Sequence, residues 1–130
     1  MLAPIHPDQS ERLRALYGYA ILDTPREADF EEIVELASQI CEAPISLISF
    51  VDAERQWFKA EVGLGVRETG LDQSVCSHAI LEDGFLEISD TDRDPRTADN
   101  PLCCGVLAEM RYYAGAPRSE ERRVGKECAD

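Results

Sequence analysis

Long apolar runs are missing from this 130-residue sequence. None approaches the ~18 residues that cross a bilayer, and residues 1–10 lack the basic start and apolar middle of a signal peptide. A cytoplasmic chain with no membrane contact is expected. Positive charge is scarce as well: 13 Lys and Arg stand against 26 Asp and Glu, a net charge of −13. That excess repels phosphate backbones and anionic surfaces, so no nucleic-acid partner is expected. Cysteines at 41, 76, 103, 104 and 128 are odd in number and include no CxxC pair. Vicinal Cys103 and Cys104 are ill placed for a relaxed disulfide or a structural zinc, which leaves reduced, packing thiols. Asp90, Asp92, Asp94 and Asp99 lack the Gly and terminal Glu of a calcium loop, and no metal site is expected. Gly63-Leu64-Gly65 is followed by neither a Lys nor a helix start, which excludes a phosphate loop.

Apolar residues make up 44% of the chain, enough for a core in a single domain. The organising stretch is Pro44 to Leu64. Ile45, Leu47 and Val51 point one way and Ile48 and Phe50 the other, which predicts a strand buried on both faces in the middle of a sheet. After Asp52-Ala53-Glu54-Arg55, a second run places Phe58, Ala60 and Val62 on one face and Trp57, Lys59 and Glu61 on the other. It predicts a half-buried partner strand in an antiparallel hairpin.

Upstream, Asp8-Gln9-Ser10-Glu11 has the form of a capping box, and Leu13, Leu16, Tyr17 and Ala20 form one stripe of a first helix. Thr24-Pro25-Arg26-Glu27 supplies cap, N1 proline and N3 Glu for a second helix. Its Phe30, Ile33, Val34, Ala37, Ile40 and Cys41 give a wide apolar face to lie across the sheet. Downstream, Gly63 and Gly65 mark a loop, and Leu71 to Leu81 reads as a short helix opened by Asp72 or Ser74, with Val75, Ala79 and Ile80 inward. Phe85, Leu86 and Ile88 make a short strand. Ser89 to Pro101 is a long polar connection of the functional or mobile kind. Leu102 to Glu109 allows one or two helical turns, and Met110 to Pro117 resumes as a strand.

Val51-Asp52 followed by Arg55-Gln56-Trp57-Phe58-Lys59, then Val75-Cys76-Ser77-His78-Ala79-Ile80, Asp94-Pro95-Arg96, Asp99-Asn100-Pro101 and Arg111-Tyr112-Tyr113-Ala114-Gly115-Ala116-Pro117, resembles the GAF domains found N-terminal in bacterial sensor histidine kinases and diguanylate cyclases. Thr97 departs from the pattern, standing where an aromatic is usual. The resemblance implies an α/β (α+β) fold, with a mostly antiparallel sheet flanked by helices and lacking its final strands. It divides the chain into a leading helix at 1–24, a sensory domain at 25–117 and a tail at 118–130.

The tail, Arg118-Ser119-Glu120-Glu121-Arg122-Arg123-Val124-Gly125-Lys126-Glu127-Cys128, carries no strand pattern. It resembles a translated short-read sequencing adapter, whose AGATCGGAAGAGC opens Arg-Ser-Glu-Glu-Arg. An artefactual tail is expected, with the natural protein continuing into the missing strands and an output kinase or cyclase domain; a genuine charged, solvated tail is the alternative.

Cys76 and His78 are two apart, so on a helix their side chains diverge and a catalytic couple is not expected. A bilin or haem would need a dedicated Cys or axial His, and no cofactor is expected. What remains is a small-molecule pocket between the sheet, Ser74–Ile80 and Asp90–Pro101, with Cys76, His78, Arg96, Arg111, Tyr112 and Tyr113 as candidate ligand-binding residues. Arg96 has the alternative of pinning its own loop through Asp94 or Asp99, and the tyrosines that of core packing with a wet hydroxyl. The resemblance implies a non-catalytic sensory module, responding to an unknown small molecule or to redox change and forming a homodimer through the first helix. Leu13 and Leu16 packing on their own domain is the alternative. A thiol enzyme of the free methionine sulfoxide reductase kind and a purely structural dimerisation module are the rival functions.

Overall fold

Strand β2, Arg55–Val62, is the element about which the fold is assembled. The computed structural model describes residues 2–82, 84–103 and 110–117. β1, Ser46–Val51, runs antiparallel to one edge of β2, and β3, Glu68–Gly70, antiparallel to the other. A bulge between Ile48 and Ser49 shifts the β1–β2 register. A second antiparallel pair joins β4, Leu86–Ile88, to β5, Tyr113–Gly115. With α1 at Gln9–Gly18, α2 at Ala28–Cys41 and a four-residue α3 at Cys76–Ala79, the architecture is α+β.

The hairpin forms where expected, but the roles of its strands are exchanged. Among the described residues β2 is central and β1 an edge. Every side chain from Gln56 to Glu61 is buried, including Lys59, whereas Ile48 and Phe50 of β1 are half-buried. Alternation misjudged β2 because Lys59 and Glu61 are buried with their charges matched. Lys59 Nζ donates to Thr24 Oγ1 and the Pro25 carbonyl, each at 2.8 Å, and lies 2.6 Å from Glu27 Oε2. Glu61 accepts from the Leu64 and Gly65 amides at 3.0 and 2.9 Å and pairs with Arg26 at 3.0 Å. A buried charge holds only when it is paired and hydrogen-bonded in this way.

These bonds also correct the helix starts. Thr24 and Pro25 serve Lys59 rather than α2, which begins after Glu27 with no side-chain cap. Asp8 makes no cap for α1; its amide donates to His6 Nδ1 at 3.0 Å. α2 packs on β1 and β2. Only Val34 of its apolar sector is buried, and Ile33, Leu36 and Ile40 are 43%, 56% and 73% exposed.

The other face of the sheet carries the main core: Leu47, Val51 and Phe58 against Val75, Cys76 and Ala79, with Leu86, Ile88, Cys103 and Tyr113 behind them. β3 falls between the loop expected at Gly63 and Gly65 and the helix expected from Leu71; its three residues of mixed burial give too little periodicity to register. Gly63 has φ +85, and a Cβ there would meet the Pro44 carbonyl oxygen at 2.0 Å, so only glycine lets the turn after β2 pass the entry to β1. The helical turns expected at Leu102 to Glu109 fall largely on residues 104–109, and these, like the tail at 118–130, lie outside the described residues. No helix among the described residues is long and apolar enough to cross a membrane.

Candidate functional site

α3 lies under β1 with Ser74 through Ala79 all buried. Ser74 sets its start: Ser74 Oγ accepts from the Ser77 amide at 3.0 Å and donates to Gln56 Oε1 at 2.7 Å, tying the turn to β2. This presents Cys76 to β5, where Tyr113 Oη donates to Cys76 Sγ at 3.3 Å. Gly115 lies two residues on, on the same face, and a Cβ there would stand 2.4 Å from Tyr113 Oη. The bare backbone of Gly115 therefore makes the space for the phenol.

The long connection after β4 is built around buried hydroxyls. Thr97, unexposed, donates from Oγ1 to the Thr91 carbonyl at 2.7 Å, and the Thr91 amide donates to the Arg111 carbonyl at 2.9 Å. A small hydroxyl residue at 97 is thus what the loop uses to close on itself. Arg96 lies beside it and grips Asp94 twice, Nε to Oδ1 at 2.9 Å and Nη2 to Oδ2 at 2.7 Å. That guanidinium, with the Arg96 amide, holds the Asp94 carboxyl down to about 2 despite partial burial.

The six candidate residues are only partly convergent. Cys76 and Tyr113 meet, and His78 is buried on the same helix. Tyr112, next to Tyr113 on an extended strand, points the opposite way; it is 54% exposed and donates to Glu87 at 2.5 Å. Arg111 Nη1 lies 2.5 Å from Asp92 Oδ2 at the surface. Arg96 pins its own loop through Asp94. Two surface concavities lie elsewhere. One, about 60 Å³, runs between the leading segment and the core, past His6, Arg12, Val51, Leu71 and Ile80. The other opens at Tyr17, Asp52 and Arg55.

The second concavity belongs to a polar network that the sequence reading missed. Tyr17 Oη donates to Asp52 Oδ1 at 2.6 Å, Arg55 grips Asp23 at 2.9 and 2.8 Å, and Arg55 Nε reaches Asp52 Oδ2 at 3.2 Å. Burial pushes the Asp52 carboxyl up, yet the Tyr17 hydroxyl, the Ala53 amide and Arg55 outweigh it and leave it below its ordinary value. Arg12, which lies off the apolar stripe, donates to the Val51 carbonyl. α1 is thereby latched to the β1–β2 turn by polar bonds, with Leu16 its one buried residue. The available signal was a Tyr on the stripe facing an Asp and an Arg that flank a turn.

Among the described residues no three His, Cys, Asp or Glu side chains converge as a metal site would require. The chain is similar to a cyclic di-GMP phosphodiesterase. That protein, cyclic di-GMP phosphodiesterase PA2567 of Pseudomonas aeruginosa, is 38% identical over 131 residues. The match covers 98% of this chain and 22% of the relative, so the chain spans about a fifth of that protein's length. No family model matches. The expectation of a non-catalytic sensory module from a histidine kinase or diguanylate cyclase is corrected by this finding, because the matching protein is named as a phosphodiesterase, neither kinase nor cyclase.

Proposed function

We propose that the chain is a regulatory segment, of GAF type, from a protein that hydrolyses cyclic di-GMP. The observation that carries this reading is the 38% identity along nearly the whole chain to a protein named for that reaction, of which the chain spans only 22%. The described carboxylates with the strongest engagements support it. Asp23, Asp52, Glu61 and Asp94 are each held by an arginine, the first three in contacts between elements and Asp94 within its own loop. Side chains committed to such pairs position structure and are not presented together to a phosphodiester.

In this reading the segment acts by its conformational balance. α1 rests on a few polar bonds and α2 is half-covered, so the flanking helices are the parts whose positions a change in the core shifts at least cost. The Cys76–Tyr113 contact, with His78 on the same helix, is the place in the core where an internal change is read by both α3 and β5.

The test is hydrolysis of cyclic di-GMP by the isolated, folded chain and by the full-length protein. The proposal expects turnover from the full-length protein and none from the chain. Turnover by the chain itself overturns it.

A further inference from the structure

α2 presents more apolar surface than the sheet covers. Val34 faces the strands with no exposure, while Ile33, Leu36 and Ile40, spaced i, i+3 and i+7, form a contiguous stripe along two turns at 43%, 56% and 73% exposure. Scattered exposed aliphatics are ordinary; three in line on one helix face are a surface for packing. Carboxylates run along the edge of the stripe away from the sheet. Asp29, Glu32 and Glu35 are exposed and make no ion pair among the described residues, whereas Glu31, turned toward Arg26, is paired at 3.0 Å. α2 contains no Lys or Arg at all.

We propose that this face docks a basic amphipathic helix, one with aliphatic residues at i, i+3 and i+7 flanked by Lys or Arg. Charge decides the occupant. A second copy of α2 on this face would set Asp29, Glu32 and Glu35 against their own counterparts, and like charges across an apolar seam are penalised. A helix with flanking cations satisfies the same three carboxylates while its aliphatics cover the stripe, the arrangement by which helix-in-groove recognition gains affinity and selectivity together.

The experiment uses the full chain and two synthetic 18-residue helical peptides with identical leucine spacing, one flanked by Lys and one by Glu, followed by fluorescence anisotropy at 0.15 M salt. The Lys peptide is expected to bind at least tenfold more tightly than the Glu peptide. Leu36→Ser with Ile40→Ser, and separately Glu32→Gln with Glu35→Gln, are each expected to weaken it at least tenfold. Asp90→Asn with Asp92→Asn, acidic positions elsewhere, is expected to change it less than twofold. Circular dichroism checks that the variants fold, which these exposed positions permit. Equal binding of the two peptides, or binding that survives the stripe or carboxylate variants, overturns the proposal. So does a dimer in sedimentation that Leu36→Ser dissolves, since the occupant is then a second copy.

Discussion

Lys59 Nζ stands 2.6 Å from Glu27 Oε2, although Lys59 is wholly buried and the Glu27 side chain is 57% exposed. The ammonium reaches out of the core at the mouth of α2 and spends its remaining donors on Thr24 Oγ1 and the Pro25 carbonyl. One side chain thus joins the central strand to the start of the helix that covers it. Lys59→Met keeps the aliphatic stem and strands those acceptors, with an expected loss of about 1–3 kcal/mol. Urea unfolding followed by the fluorescence of Trp57, the one tryptophan, measures it.

Gly115→Ala is expected to cost about 1–3 kcal/mol, because the added methyl overlaps the Tyr113 phenol in a packed core. It should also speed alkylation of Cys76, the thiol that the phenol covers. Tyr113→Phe removes only the hydroxyl and should cost about 1 kcal/mol. Equal effects of the two variants would contradict the steric account.

Gly63→Ala meets both a positive φ and a backbone carbonyl at 2.0 Å. A loss of more than about 2 kcal/mol is expected, read as a lower urea midpoint at unchanged slope.

The Asp94 carboxyl, held at about 2 by Arg96, contributes stability that is complete above its ordinary value near 3.8 and is lost as pH falls from there toward 2. Arg96→Ala should remove about 1 kcal/mol at pH 7, within the range of a partly wet pair. It should also flatten the acid limb of stability against pH between 4 and 2. An unchanged acid limb would show that the pair does not hold the loop.

Much of the fold was legible because the strongest signals were local. The hairpin from Ser46 to Val62, the helical course of α2 and the inward set Val75, Ala79 and Ile80 follow from periodicity, although of the expected α2 face only Val34 is buried. The strand roles were not legible, because burial of Lys59 and Glu61 depends on acceptors at Thr24, Pro25 and Gly65 that only the folded chain brings near. The cap at Thr24 failed for a related reason: Thr24 has one hydroxyl, and the buried ammonium is its stronger partner. In the candidate site, Cys76 and Tyr113, two of the six candidate residues, meet in the folded chain, while Tyr112, adjacent to Tyr113 in sequence, is separated from it by the pleat.

Arg118 to Cys128 lies outside the described residues, and the similarity to the Pseudomonas protein, covering 98% of the chain, extends into it. Reading the gene through the codon for Pro117 decides between the genuine tail that this similarity favours and the adapter-derived run expected from the sequence. An intact genomic reading of Arg118 to Cys128 would contradict the adapter origin of the run.

The regulatory reading is tested most directly by the rate of cyclic di-GMP hydrolysis in the full-length protein carrying Phe58→Ala, a change that empties the core between β2 and α3. On the proposed reading the hydrolytic machinery lies outside this segment and answers to it, so hydrolysis is predicted to persist with its rate shifted at least threefold from the parent's. A rate identical to the parent's, with the segment shown to be unfolded, would contradict it.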